Sequence, residues 1–175
     1  GGGDAYAALH ELLARHVVEE STAGAMQFVH EQVRDVAYGG LEPARRRSLH
    51  LDVARALEAR SADARADLAA VLAHHWHEGG DDGKAAPCFL QAARAAMRVF
   101  ANGDAARHYR SYLALQASPS ADSVGARVEL AEEALREHGD MEGALAEAGT
   151  AEAEANAISD PRCLARSQRA LGAVL

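Results

Sequence analysis

The sequence predicts an all-α fold carrying one small β-hairpin, arranged as a compact N-terminal module followed by a stack of antiparallel helix pairs. Three observations predict it. Of the 175 residues 42 are alanine and only four are proline, and alanine is the strongest helix former. Apolar residues recur at three- and four-residue spacing through most of the chain, the period of a half-buried helix. The single stretch that breaks this period is short and encloses turn residues. At 49% apolar and 25% charged, the chain has the balance of one that buries a core.

The elements follow in order. Ala5, Leu9, Leu12 and Leu13 mark a short helix over residues 4–16, with Asp4 as its cap. Val17-Val18 leaves the helical pattern, Ser21-Thr22-Ala23-Gly24 is turn chemistry, and Met26 to Val29 is a second extended run. These predict the hairpin. Val33, Val36 and Ala37 mark a helix stopped by Gly39-Gly40. Pro43 starts a longer helix, whose buried stripe is read as Leu49, Val53, Ala56 and Leu57. The polar break Ser61-Ala62-Asp63 divides the chain into modules 1–60 and 61–175. Beyond it, six helices follow, marked in turn by Leu68, Leu72 and Trp76, by Phe89, Ala92, Ala96 and Phe100, by Tyr109 and Leu113, by Val124, Val128, Ala131 and Leu135, by Met141, Leu145, Ala148, Ala155 and Ile158, and by Leu164, Leu171 and Leu175. Short turns marked by Gly or Pro between them predict antiparallel pairs.

Charge is unevenly placed. The formal net charge is −8, and the stretch Glu129–Glu154 holds nine acids and one base. Glu129, Glu132, Glu133 and Glu137 are therefore candidates for an acidic docking surface, against the plainer reading of a solvated helix face. Arg45, Arg46 and Arg47 are a second candidate. They sit in a first helical turn, where cations oppose the helix dipole and need acidic neighbours or a partner. A chain with this balance is a poor nonspecific binder of nucleic acid.

The helical part echoes itself. Leu72 and Trp76 precede Gly80-Asp81, Ala85, Phe89 and Ala92. Leu135 precedes Gly139-Asp140, Ala144, Ala148 and Ala151, at the same offsets from the glycine. Glycine allows the tight turn, alanine allows close helix approach, and the large residues fill the space beside them. This pattern resembles the tetratricopeptide repeat, in a degenerate form with one helix near 105–115 inserted or shared between pairs.

Three further segments carry a second resemblance: Phe28–Tyr38 (FVHEQVRDVAY), Leu41–His50 (LEPARRRSLH), and Leu72-Ala73-His74-His75-Trp76 before a Gly-Asp. In that order they resemble a region of bacterial STAND-class signal-transduction ATPases. The resemblance implies a winged-helix-like module followed by tetratricopeptide-like helices, lying after a nucleotide-binding domain. It also implies a parent protein such as a transcriptional activator, kinase or cyclase. The opening Gly1-Gly2-Gly3 and the apolar ending at Leu175 fit a segment of a longer chain.

Catalytic motifs are missing from the sequence. There is no G-x-x-x-x-G-K-[ST] loop and no kinase loop. His10-Glu11 and His30-Glu31 begin like a metalloprotease helix, but the second histidine position holds Ala14 and Arg34. His74 and His77 share a helix face while His75 points away, so metal binding is not predicted. Cys88 and Cys163 form no C-x-x-C pair, which fits a reduced, cytoplasmic compartment. The expected function is a non-catalytic regulatory module that binds protein partners or neighbouring domains, without cofactor, metal or membrane. Two alternatives stand beside it: a DNA-contacting winged helix, and a small-ligand sensor with its pocket in the helical stack.

Overall fold

A computed structural model describes residues 2–21, 26–59, 68–135 and 139–175. Among the described residues, the regular structure is nine α-helices, one π-helical turn and one two-stranded sheet, so the chain is mostly helical with one small hairpin. It divides into two compact units, Gly1–Arg46 and Arg47–Leu175. The polar break at 61–63, where the sequence put the module boundary, lies outside the described residues.

The first unit starts with α1 (Gly2–Ala14). His16, at a φ of 52°, turns the chain out of the helix into the hairpin. Strands β1 (Val18–Glu20) and β2 (Met26–Phe28) pair antiparallel, with Val18 opposite Phe28 and Glu20 opposite Met26. Helix α2 (Glu31–Gly39) follows, and α3 (Pro43–Glu58) runs across the division into the second unit. Val18 is buried, whereas Tyr6 and Val36 are 73% and 77% exposed. A unit of this size has little apolar surface to bury on itself.

The second unit contains most of α3, then α4 (Ala69–Glu78), α5 (Asp82–Arg98), α6 (Asn102–Ala114), α7 (Ala121–Glu129), the π turn Leu130–Leu135, α8 (Met141–Ile158) and α9 (Pro161–Val174). From α4 onward each helix packs on the next in sequence, and α9 also reaches α7. The main core holds Trp76, Phe89, Tyr109, Tyr112 and Leu130 among alanines from several helices. A smaller cluster of Val124, Val128, Ala151, Ala155 and Ala170 lies between α7, α8 and α9.

The two halves of the sequence echo perform the same local work. Gly80 and Gly139 both lie in the left-handed region, at φ of 84° and 87°, where a side chain would be strained. Asp81 and Asp140 then cap α5 and α8, accepting from the backbone N–H of Lys84 and Gly143 at 3.1 and 2.9 Å. Ala85, Phe89 and Ala92 are buried after the first turn, and Ala144, Ala148 and Ala151 after the second.

Expected stripes need correction in α2, where Val33, Val36 and Ala37 are all exposed, at Phe100, which lies beyond the end of α5 and is exposed, and in three further helices. Helix α3 buries His50 and Ala54, while Val53 and Ala56 are exposed and Leu49 and Leu57 only half-buried. Helix α8 buries Ala144, Ala148, Ala151 and Ala155 and exposes Met141 and Leu145. Helix α9 buries Ser167, Ala170 and Val174, and Leu175 is exposed. In these three helices the cause is shared. Where neighbouring helices come close, alanine, serine and a hydrogen-bonded histidine fit the contact better than a larger apolar residue on the adjacent face.

Candidate functional site

The second unit contains a cleft of about 400 Å³ lined by Arg94, Met97, Arg98, Tyr109, Glu129 and Arg166. Its side chains come from four helices. Arg94 and Arg98 stand one turn apart on α5, Tyr109 rises from α6, Glu129 ends α7, and Arg166 comes from α9. The chain widens into the π turn directly after Glu129, and such turns often occur at functional positions.

Glu129 is the hub. Arg94 donates from Nε to Oε2 at 2.9 Å and from Nη2 to Oε1 at 3.0 Å, a bidentate pair. Tyr109 Oη donates to Oε2 at 3.0 Å, and Arg166 Nη2 donates to Oε1 at 3.2 Å. Burial pushes the Glu129 carboxyl up, but the donors from Arg94, Tyr109 and Arg166 outweigh it and hold the carboxyl below the ordinary glutamate range. The hydrogen bond to Glu129, working against burial, raises Arg94 above the usual guanidinium value. The hub thus fixes two guanidinium groups in place. Arg98 forms no ion pair among the described residues. Three guanidinium groups face one carboxylate here, leaving an excess of two positive charges in the cleft.

The acidic stretch is consequently less bare than its sequence. Glu129 is held by Arg94 and Arg166, and Glu147 and Glu154 are both held by Arg127, at 2.6 and 2.8 Å. Ser123 Oγ also donates to Glu154 at 2.9 Å. Glu132 is half-buried at the π turn. The side chain of Glu133, and Glu137 altogether, lie outside the described residues. The arginine cluster is divided in role. The Arg46 guanidinium lies 4.4 Å from the Tyr38 ring centroid and donates to the Tyr38 and Leu41 carbonyls at 3.2 and 3.5 Å. It meets the carbonyl end of α2, where a cation is favoured. Arg45 and Arg47 are exposed.

A second constellation joins α3 to α4. His50 Nδ1 and His75 Nδ1 are 2.9 Å apart, and His74 stands beside both. His50 is buried, His75 half-buried and His74 exposed. Burial, then the neighbouring His50 and His74, lowers the His75 pKa. His77 belongs elsewhere: its Nδ1 lies 2.7 Å from Asp82 Oδ1. The repeat residues Leu72, Trp76, Ala85, Phe89, Ala92 and Ala144 are core, and Gly80 and Gly139 are turns.

Sequence reasoning found Glu129 but not its partners, which lie 20, 35 and 37 residues away. The like-charged Arg94 and Arg98, four residues apart on one helix face, were the local signal for the cleft. His50 was hidden because its neighbours Leu49 and Val53 set the expected stripe. Compared with protein-family models, curated proteins and solved structures, the chain matches none.

Proposed function

We propose that this chain is a non-catalytic, cytoplasmic interaction module of a bacterial signalling protein of the STAND type, and that its cleft receives an acidic segment of a partner or of another domain. The observation that carries the reading is that Arg94, Arg98 and Arg166 line one cleft with the half-buried Glu129, which pairs with two of them. Glu129 orders two guanidinium groups before any ligand arrives, which lowers the ordering cost of binding a carboxylate. Their remaining N–H donors suit planar, bidentate recognition. The chain as a whole is negative at −8, but at physiological salt the screening length is about 8 Å. The contacting arginines therefore govern the encounter more than distant acids do. The degenerate repeat pattern and the exposed apolar residues of the first unit support a module that works beside other domains. No helix among the described residues is long and apolar enough to cross a membrane.

The test uses two fluorescein-labelled ten-residue peptides, one Glu-rich and one Lys-rich, titrated with the intact chain at 150 mM salt. The Glu-rich peptide should bind, the Lys-rich one should not, and Arg98→Glu should weaken binding at least tenfold. Equal binding of both peptides, or an unchanged affinity in Arg98→Glu, would falsify the reading.

A further inference from the structure

We infer that His50, His74 and His75 form a binding site for a divalent metal ion of the zinc class, with three imidazole nitrogens as ligands and the fourth position open. The nitrogen atoms involved all lie within 4.8 Å of one another. Two nitrogens on one tetrahedral zinc at about 2.0–2.1 Å stand roughly 3.4 Å apart. The His50 and His75 Nδ1 atoms, at 2.9 Å, need only a small separation to reach that spacing.

The ring positions agree more closely. A zinc ion coordinated by a ring nitrogen lies about 3.2 Å from the ring centroid, so three rings at tetrahedral angles have centroids about 5.2 Å apart. The observed separations are 5.0 Å for His50–His75, 5.3 Å for His74–His75 and 5.5 Å for His50–His74. A structural hydrogen bond between two helices needs only two rings. The third ring at the same distance is what a metal site adds. The burial is graded, with His50 at the floor and His74 at the surface, which leaves an entry path and an open outer position of the kind that takes water or an exogenous ligand.

The proton balance is simple. In the metal-free pair one Nδ1 donates to the other. When both Nδ1 atoms bind metal, that proton moves to Nε2 of the same ring, a change of tautomer with no net proton lost. The bound ion would tie α3 to α4 between residues 25 apart in sequence. Metal loading would thereby stabilise the start of the helical stack, independently of the arginine cleft.

The experiment is a Co²⁺ titration of the intact chain without affinity histidines, followed by visible absorption, with Zn²⁺ added afterwards. One equivalent should bind with the intense absorption of a tetrahedral site, and Zn²⁺ should displace it. His50→Gln and His74→Gln should each weaken Co²⁺ binding more than tenfold, while His77→Gln and His108→Gln leave it unchanged. Since His74 is exposed, its variant keeps the test valid even if His50→Gln fails to fold. No saturable signal up to millimolar Co²⁺ overturns the inference. So does binding that survives His74→Gln, or that is lost in His77→Gln.

Discussion

Replacing Phe89 by alanine removes a large ring from the centre of the second unit. Phe89 is 9% exposed and packs in the cluster that also holds Trp76, Tyr109 and Leu113. Transfer of the lost ring to water accounts for about 2 kcal/mol. The vacated volume of about 100 Å³, at roughly 24 cal/mol per Å³, adds about 2 kcal/mol if the helices do not collapse. The sum of about 4 kcal/mol is a large share of the 5–15 kcal/mol typical of a domain, and lowers Tm by roughly 8–16 °C. The chain has one tryptophan, Trp76, in the same cluster and 2% exposed, so urea unfolding followed by its fluorescence reports on this core directly. Phe100→Ala is the matched control, because Phe100 is 86% exposed and its loss should change stability by less than about 0.5 kcal/mol. Equal effects of the two substitutions, or an unchanged midpoint in Phe89→Ala, would refute the packing argument.

Other perturbations test other parts of the account. Arg127→Met leaves Glu147 and Glu154 facing each other half-buried, and should cost about 2–3 kcal/mol in urea melts, with partial rescue at high salt. Gly80→Ala and Gly139→Ala each force a side chain into the left-handed region and should cost roughly 1–2 kcal/mol each. Their effects should add in the double variant, because a Cβ added at either glycine meets no atom within 4 Å among the described residues. The Glu129 carboxyl is depressed in the folded state, so its contribution is complete above the ordinary glutamate value of about 4.3. That contribution is lost as pH falls through the lower folded value. Acid unfolding of Glu129→Gln should therefore have a shallower pH dependence than the parent, measured by calorimetry between pH 6 and 3.

The helices were legible because their signals are local. Gly80-Asp81 ends one helix and caps the next, Asp140 caps α8 after the left-handed Gly139, and Pro43 and Pro161 each open a helix. The hairpin was legible from its broken period and turn residues. Which face is buried was less legible. In an alanine-rich chain almost every face has a small residue, and close approach selects among them by shape. That choice placed Ala54 and His50 inside rather than Val53 and Leu49. The cleft was half-legible. Glu129 stood out by charge, but Arg94, Tyr109 and Arg166 reach it only through the packing of four helices. The histidine trio required the approach of α3 to α4, which no local pattern encodes.

Docking of an acidic segment on the arginines beside Glu129, as proposed above, has a direct readout. Amide chemical-shift mapping of the isotopically labelled chain with the Glu-rich peptide tests it most directly. Saturable shifts are expected to cluster at 94–98, 125–129 and 163–167, with the amides of Arg45 and Arg47 unmoved. Shifts concentrated at Arg45 and Arg47 instead, or no saturable shifts at all, would contradict it.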